Sequence, residues 1–374
     1  MSHISNGYHN YGGMVATQST KDNVPSCNSL IDLTVLKGEK LSAAVLNIIR
    51  NLFPEWAHNV EKVSLDRVSG ALTNAVFFVN APNKRRMLLR VYGIGCDQIV
   101  DRAKELFWLA RLSDLKIGPA LLGTFENGRF EEYLDSTTLT SDAIHQPIIS
   151  QQIAICLRRL HDIINVYPPS KSQTLEVWCN IDKWYRVVLG LVPSLKNKNA
   201  DWGKILDAYN LDQLGQEILQ CKAILERVQS PVVFAHNDTQ YGNILQLEKT
   251  GELVVVDFEY SGYNPRGFDI ANHFCEWMYD YHSDQPASLQ ADRFPTLEER
   301  LRFCKAYIDA GEDNSLCAED LEREVSTWLM GPHVFWGLWG LIQASQSEID
   351  FDYFLFFTQR ISAFRNELAK WSDN

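Results

Sequence analysis

What most restricts the folding of this chain is a change of hydrophobic period near Thr137. Ahead of it, Val63–Val68, Ala75–Val79, Arg86–Tyr92, Ala120–Phe125 and Arg129–Leu134 are short β-branched or apolar runs separated by turn residues, as antiparallel strands require. A helical pattern from Asp97 through Leu112, with Ile99, Ala103, Phe107 and Ala110 on one face, separates the third run from the fourth. A further helix through Leu41–Leu52, stopped near Pro54, precedes the strands. Behind Thr137 the period is helical over Ile148–Ile163, Thr174–Leu191, Ile205–Val228 and Leu297–Ala310, the last opened by a capping box of Thr296 and Glu299. These periods predict an α+β chain: a five-stranded sheet carrying one helix, then a larger, mainly helical lobe, with a cleft between them. The expected divisions are a disordered tail over residues 1–28, a strand-rich lobe over 29–135 and a helical lobe over 136–374.

One interruption breaks the helical half. Val232–Phe234, Ile244–Gln246 and Leu253–Val256 read as strands, and the loops between and after them, Ala235–Gly242 and Asp257–Pro265, are dense in functional groups. The first carries His236-Asn237-Asp238-Thr239-Gln240-Tyr241-Gly242, followed by Asn243, and the second begins Asp257-Phe258-Glu259. Transfer of a terminal phosphoryl group needs a carboxylate to accept the proton of the attacking hydroxyl and oxygen ligands to hold Mg2+ on the nucleotide phosphates. Asp238 suits the first role, and Asn243 with Asp257 the second. The Asp238-to-Asn243 spacing equals that of Asp and Asn in the catalytic loop H-R-D-L-x-x-x-N of kinases, and Asp257-Phe258-Glu259 stands where D-F-G would. A polar turn with capping residues explains either segment alone, but not two in this order and strand context.

The 374 residues include 47 Asp and Glu against 35 Lys and Arg, a formal charge of −12. That balance, without a long basic run, argues against a surface that neutralises nucleic-acid phosphates or anionic lipid, and it permits a cationic substrate. The eight cysteines are scattered singly with no zinc-ligand spacing, as expected of free thiols in a reducing compartment. No apolar h-region opens the chain, and the apolar stretch Val334–Ile342 is too short to span a bilayer, so a soluble, cytoplasmic protein is expected.

The segments HNDTQYGNIL (His236–Leu245) and VVDFEYSGYNPRGFDIANHFCEW (Val255–Trp277) closely resemble the two signature regions of the choline/ethanolamine kinase family, and the likeness runs from about Leu65 to Phe356. The resemblance implies a protein-kinase-like two-lobed fold and ATP- and Mg2+-dependent phosphorylation of an amino-alcohol, with Asp238 as base and Asn243 and Asp257 as metal ligands. It also implies a possible homodimer. The turn Ser69, Gly70, Ala71, Leu72, Thr73 and Asn74 would cover the phosphates, although Ala71 departs from the paired glycines common in the family. Arg90 matches the family's phosphate-gripping arginine, Glu105 the glutamate that orients it by an ion pair, and backbone groups of Glu132 and Leu134 would meet the adenine edge.

For the acceptor, a trimethylammonium group needs ring faces and a carboxylate, because it has no N–H to donate. Trp336 and Trp339 are three apart on a helical pattern and share a face. By the resemblance, Tyr260, Glu276, Tyr281 and Gln240 line the same pocket, with Phe356 where choline kinases commonly have tyrosine. Asp269 reads as a cap for loop backbone, and His161 and His273 as core histidines. His273-Phe274-Cys275-Glu276-Trp277 favours choline over ethanolamine, whose kinases tend to show HFNE followed by another aromatic. Dual use, another hydroxylated cation such as an aminoglycoside, and an inactive nucleotide-binding scaffold are the other readings.

Overall fold

The computed structural model describes residues 24–57, 60–68, 74–92, 101–312, 316–347 and 349–372. Five strands form where the alternation places them: β2 (Ser64–Arg67), β3 (Asn74–Asn80), β4 (Met87–Tyr92), β5 (Leu121–Phe125) and β6 (Gly128–Glu132). A sixth, β1 (Ser26–Cys27), pairs parallel with β5, giving the order β1-β5-β6-β4-β3-β2. This corrects the expected disordered tail over 1–28 at its last residues; residues 1–23 lie outside the described residues. A two-residue strand has no period to detect. It is secured instead by a distant side chain, for Asn127 accepts from the Ile31 N–H (2.9 Å) and donates to the Ile31 carbonyl (2.8 Å).

Helix α1 (Gly38–Leu52), followed by the short α2 (Pro54–Ala57), buries Leu41, Val45, Ile48, Ile49 and Leu52 against Phe77, Val79, Leu89, Val91 and Phe130 of the sheet. Each such side chain contributes about 1.5–3 kcal/mol. In β4 the core takes Met87, Leu89 and Val91, so the alternate residue Arg90 points to the opposite face. Helix α3 (Arg102–Asp114) begins at Asp101, which caps Lys104 N–H, and the expected start from Asp97 through Ile99 lies outside the described residues. Its buried face is Glu105, Trp108, Leu109, Ala110 and Leu112; of the expected face Ala110 is buried and Phe107 half-buried, but Ala103 is exposed. The pattern misled because Glu105 turns inward, where two arginines neutralise it.

The helical half contains α4 (Pro147–His161), α5 (Glu176–Lys198), α6 (Ala200–Tyr209), α7 (Leu211–Leu225), α8 (Arg266–Glu276), α9 (Leu297–Asp309), α10 (Ala318–Trp328), α11 (Met330–Gln346) and α12 (Tyr353–Ser372). The helix expected over Ile205–Val228 is broken at Asn210, whose φ of 48° ends α6 while its side chain caps Gln213 N–H in α7. The capping box of Thr296 and Glu299 opens α9 as expected. Helix α11 is buried from Met330 to Ala344 and packs against α5, α8 and α12, which explains why its apolar pattern runs all round. Two small sheets hold the reactive loops: β7 (Ser136–Thr138), β9 (Ile244–Leu247) and β10 (Leu253–Val255) in one, and β8 (Val232–Ala235) with β11 (Gly262–Pro265) in the other. Strand β11 occupies part of the expected polar loop; all four residues are buried, so it shows no alternation. Seven cysteines are free thiols, Cys96 lying outside the described residues, and among those residues no helix is long and apolar enough to cross a membrane.

Candidate active site

The loop after β8 is held in an unusual backbone shape by buried polar groups. Asn237 adopts φ 68°; its amide donates to the Tyr260 carbonyl (2.8 Å), and its own side-chain oxygen accepts from Asn264 (2.8 Å). Asp269, at the start of α8 and fully buried, accepts from the backbone N–H of His236 (2.9 Å) and of Asn237 (2.7 Å), and contacts His161 Nε2 (2.9 Å). Burial alone would raise the Asp269 pKa, but the hydrogen bond and charge of His161 and the loop N–H groups outweigh it and hold it low. The capping role expected of Asp269 is thus observed, and His161 and His273 are buried core histidines. His236 is kept neutral by burial; its Nε2 donates to the Val256 carbonyl (3.0 Å), leaving Nδ1 to accept from Asp238 N–H (3.2 Å).

This framework presents Asp238. Asn243 Nδ2 donates to the Asp238 carbonyl and to Asp238 Oδ2, both at 2.9 Å, so the side-chain oxygen of Asn243 is left for another partner. Burial, then the charges of Glu276, Asp257 and Glu259, push the Asp238 pKa well above the ordinary carboxylate range. Asp257 sits at φ 68°, a conformation that costs about 1–3 kcal/mol and is retained where the surroundings enforce it. Burial raises its pKa, but Arg90 and Arg129 more than compensate and keep it ionised. Asp257 Oδ2 pairs with Arg90 Nη1 (3.2 Å), while its buried Oδ1 has no hydrogen-bond partner. Carboxylate oxygens of Asp257, Glu259 and Glu105 lie within 4.8 Å of one another. Hard oxygen donors, one of them buried and unpartnered, fit a divalent cation such as Mg2+. Glu259 is a candidate that the sequence reading passed over, although its place two residues after Asp257 signalled it; burial and the charges of Asp257 and Glu105 push its pKa up to about 7.

One nucleotide-side expectation changes. Glu105 does not pair with Arg90: it is 2% exposed and engages Arg129 (2.8 Å) and Arg102 (2.8 Å). The reason is register. Arg90 and Arg129 are cross-strand partners, so both guanidinium groups compete for the same carboxylates; fully buried Arg129 takes Glu105, and Arg90 is left with Glu131 (3.3 Å) and Asp257. The Glu132 N–H donates to the Ala120 carbonyl (2.8 Å), because β6 pairing continues past β5. The Leu134 carbonyl accepts from Ser136 Oγ (3.0 Å). The turn over residues 69–73 lies outside the described residues, and Asn74 opens β3.

Glu276, whose charge acts on Asp238, belongs to an aromatic cluster. Trp336 meets Tyr260 edge-on at 5.1 Å and Trp339 at 5.4 Å, and the indole N–H groups donate to Asn272 Oδ1 (2.7 Å) and Tyr260 OH (2.9 Å) respectively. Glu276, 2% exposed at the end of α8, accepts from Tyr281 OH (2.6 Å). Phe351, Tyr279 and Tyr353, absent from the sequence-derived set, extend this wall: Phe351 lies 6.2 Å from Tyr281 and 4.7 Å from Tyr353, and Tyr279 stacks on Tyr281 at 5.6 Å. Phe356 is buried at the edge of Trp339 (6.2 Å). The Gln240 side-chain oxygen caps Gly242 N–H (2.6 Å) and so shapes the turn that carries Asn243. A broad groove between α4 and α9, lined by Gln152, Arg159, Arg302 and Lys305, includes neither Asp238 nor Asp257.

The arrangement therefore comprises a buried carboxylate held by Asn243, an acidic cluster beside Arg90, and a ring-lined wall with its own carboxylate. The family model described as Choline/ethanolamine kinase matches residues 65–365. The chain is 33% identical over 337 residues to a protein of Arabidopsis thaliana named probable choline kinase 2, covering 88% of this chain and 93% of the relative. Among solved structures, an ethanolamine kinase of Plasmodium vivax superposes with a TM-score of 0.76 at 25% identity, over 88% of this chain and 91% of that one. A choline kinase of Cryptosporidium parvum superposes with a TM-score of 0.72 at 28% identity, over 88% and 96%.

Proposed function

The chain belongs to the choline/ethanolamine kinase family, an enzyme of protein-kinase-like fold, and from that premise we propose that it transfers the γ-phosphoryl group of ATP to the hydroxyl of choline with Asp238 as the base. The observation that carries this reading is that buried Asp238 feels the charges both of Asp257, which pairs with Arg90, and of Glu276 in the aromatic wall. The acceptor hydroxyl hydrogen-bonds to Asp238, its oxygen attacks the γ-phosphorus in line, its proton passes to the carboxylate, and the bond to the bridging oxygen breaks to release ADP. Asn243 keeps Asp238 oriented, and Arg90 leaves Asp257 to grip phosphate oxygens. Asn243 and Asp257, with Glu259 beside them, would hold Mg2+, which supplies neutralisation of the phosphate charge. Residues 29–135 serve as the nucleotide lobe and 136–374 as the acceptor lobe.

The test is an acceptor panel: ADP release by the purified chain with ATP, Mg2+ and choline, N,N-dimethylethanolamine, ethanolamine or an aminoglycoside. Choline should give the highest kcat/KM, and turnover no greater than the acceptor-free control with both choline and ethanolamine would overturn the reading. Replacing one cage ring, Trp339→Leu, should cost choline about tenfold in kcat/KM and ethanolamine less than threefold, since desolvated cation–π contacts are worth about 1–2 kcal/mol. Equal loss for the two amines would argue against a ring-lined acceptor site.

The pH profile provides an independent check. Asp238 must be ionised to accept a proton, and burial with three neighbouring carboxylates raises its pKa. The rate with choline, whose nitrogen does not titrate, should therefore fall as pH drops through a value well above the ordinary aspartate pKa of about 3.9. An acid limb in kcat/KM at that ordinary value would contradict the assignment of Asp238.

A further inference from the structure

Arg360, in α12, lies against the expected cation site and has no place in the mechanism above. It is 0% exposed, donates through Nη2 to Glu276 Oε1 (2.5 Å), and lies over the faces of Tyr279 (4.4 Å to the ring centre) and Phe356 (4.9 Å). The other carboxylate oxygen, Oε2, accepts from Tyr281 OH (2.6 Å). Both oxygens of the carboxylate expected to meet the substrate's charge thus already hold a donor, and one of those donors is itself a cation. A face of Phe356, counted from the sequence as a cage ring, is covered by the guanidinium.

We propose that Arg360 is the positioning residue that sets which class of amine this site accepts: together with Tyr281 it occupies Glu276, so that the wall offers ring faces but few free hydrogen-bond acceptors. A quaternary ammonium loses little by this, because it has no N–H and binds to ring faces and to the field of Asp238 and Glu276. A primary ammonium leaves water that accepted from three N–H groups, and inside the pocket its best acceptor already holds two donors. The fold rather than any motif creates the discrimination: α12 reaches α8 across 84 residues of chain to place a guanidinium where the substrate's nitrogen would otherwise pair. The inference rests on the amino-alcohol reading given above.

The experiment compares native protein with Arg360→Met, which keeps an unbranched apolar stem over the two rings, and Tyr281→Phe, which removes one hydroxyl. For each, kcat and KM are measured with choline, N,N-dimethylethanolamine and ethanolamine under saturating ATP. The expected result is a fall of at least fivefold in the choline-to-ethanolamine ratio of kcat/KM in both variants, carried mainly by KM, with dimethylethanolamine between the extremes. A merely structural role for Arg360 lowers all three acceptors by one factor. A ratio within twofold of native in Tyr281→Phe overturns the proposal, and that variant decides the matter if Arg360→Met does not fold. If native protein turns over none of the amines, the functional reading itself fails, an outcome distinct from an unchanged ratio.

Discussion

Asp238→Asn will lower choline-dependent ADP release by about a thousandfold, within the range of about 10²–10⁴ that a positioned general base supplies. The substitution is nearly isosteric, and the new side-chain oxygen can still accept from Asn243, so the loop geometry survives. What is lost is the capacity to take the hydroxyl proton. Nucleotide binding, measured by displacement of a fluorescent ATP analogue, should change less than threefold. A second readout follows from linkage. The folded-state pKa of Asp238 is raised, so holding it ionised costs native stability at pH above that value, and the cost disappears below the unfolded value near 4. Asp238→Asn should therefore raise Tm at pH 8 and lose that advantage at pH 4. Retained turnover would remove Asp238 from the chemistry, and an unchanged Tm at both pH values would show that the carboxylate is not strained where it sits.

The chemical residues were legible because polar side chains crowded between buried strands leave little room for a purely structural account. Asp238, Asn243 and Asp257 lie in such loops, and their order alone constrained the reaction class. The aromatic wall was half legible: helical spacing put Trp336 and Trp339 on one face, but Phe351 and Tyr279 join only through the packing of α12 and the segment after α8. Partners of charged groups were the least legible. Arg90 and Glu105 were expected together because each suits the other, yet strand register brings Arg129 to compete, and the buried competitor takes the carboxylate. Arg360 gave no sequence signal at all, since a lone arginine in an amphipathic helix ordinarily faces water. Its burial depends on Glu276 and on two rings that the fold delivers from elsewhere.

Asp269→Asn will damage both stability and turnover, and will separate the support of the catalytic loop from its chemistry. Asp269 satisfies two backbone N–H groups of the loop and His161 with its two oxygens, all out of water. An amide of the same shape keeps one oxygen and turns an NH2 toward a group that is itself a donor, so at least one buried N–H loses its acceptor. Each such loss costs about 1–3 kcal/mol, which sets the expected destabilisation at about 3 kcal/mol in urea unfolding. Because the freed N–H belongs to His236 or Asn237, immediately before the base, kcat should fall at least tenfold while KM for ATP changes little. The pH signature has the opposite sign to that of Asp238. The folded-state pKa of Asp269 is lowered, so its stabilisation is present above the unfolded value near 4 and is lost as pH falls through the folded one. The difference in unfolding free energy between native and Asp269→Asn protein should accordingly shrink as the medium is acidified below pH 4. A variant with native Tm and native kcat would show that β8 and β11 hold the loop without this carboxylate.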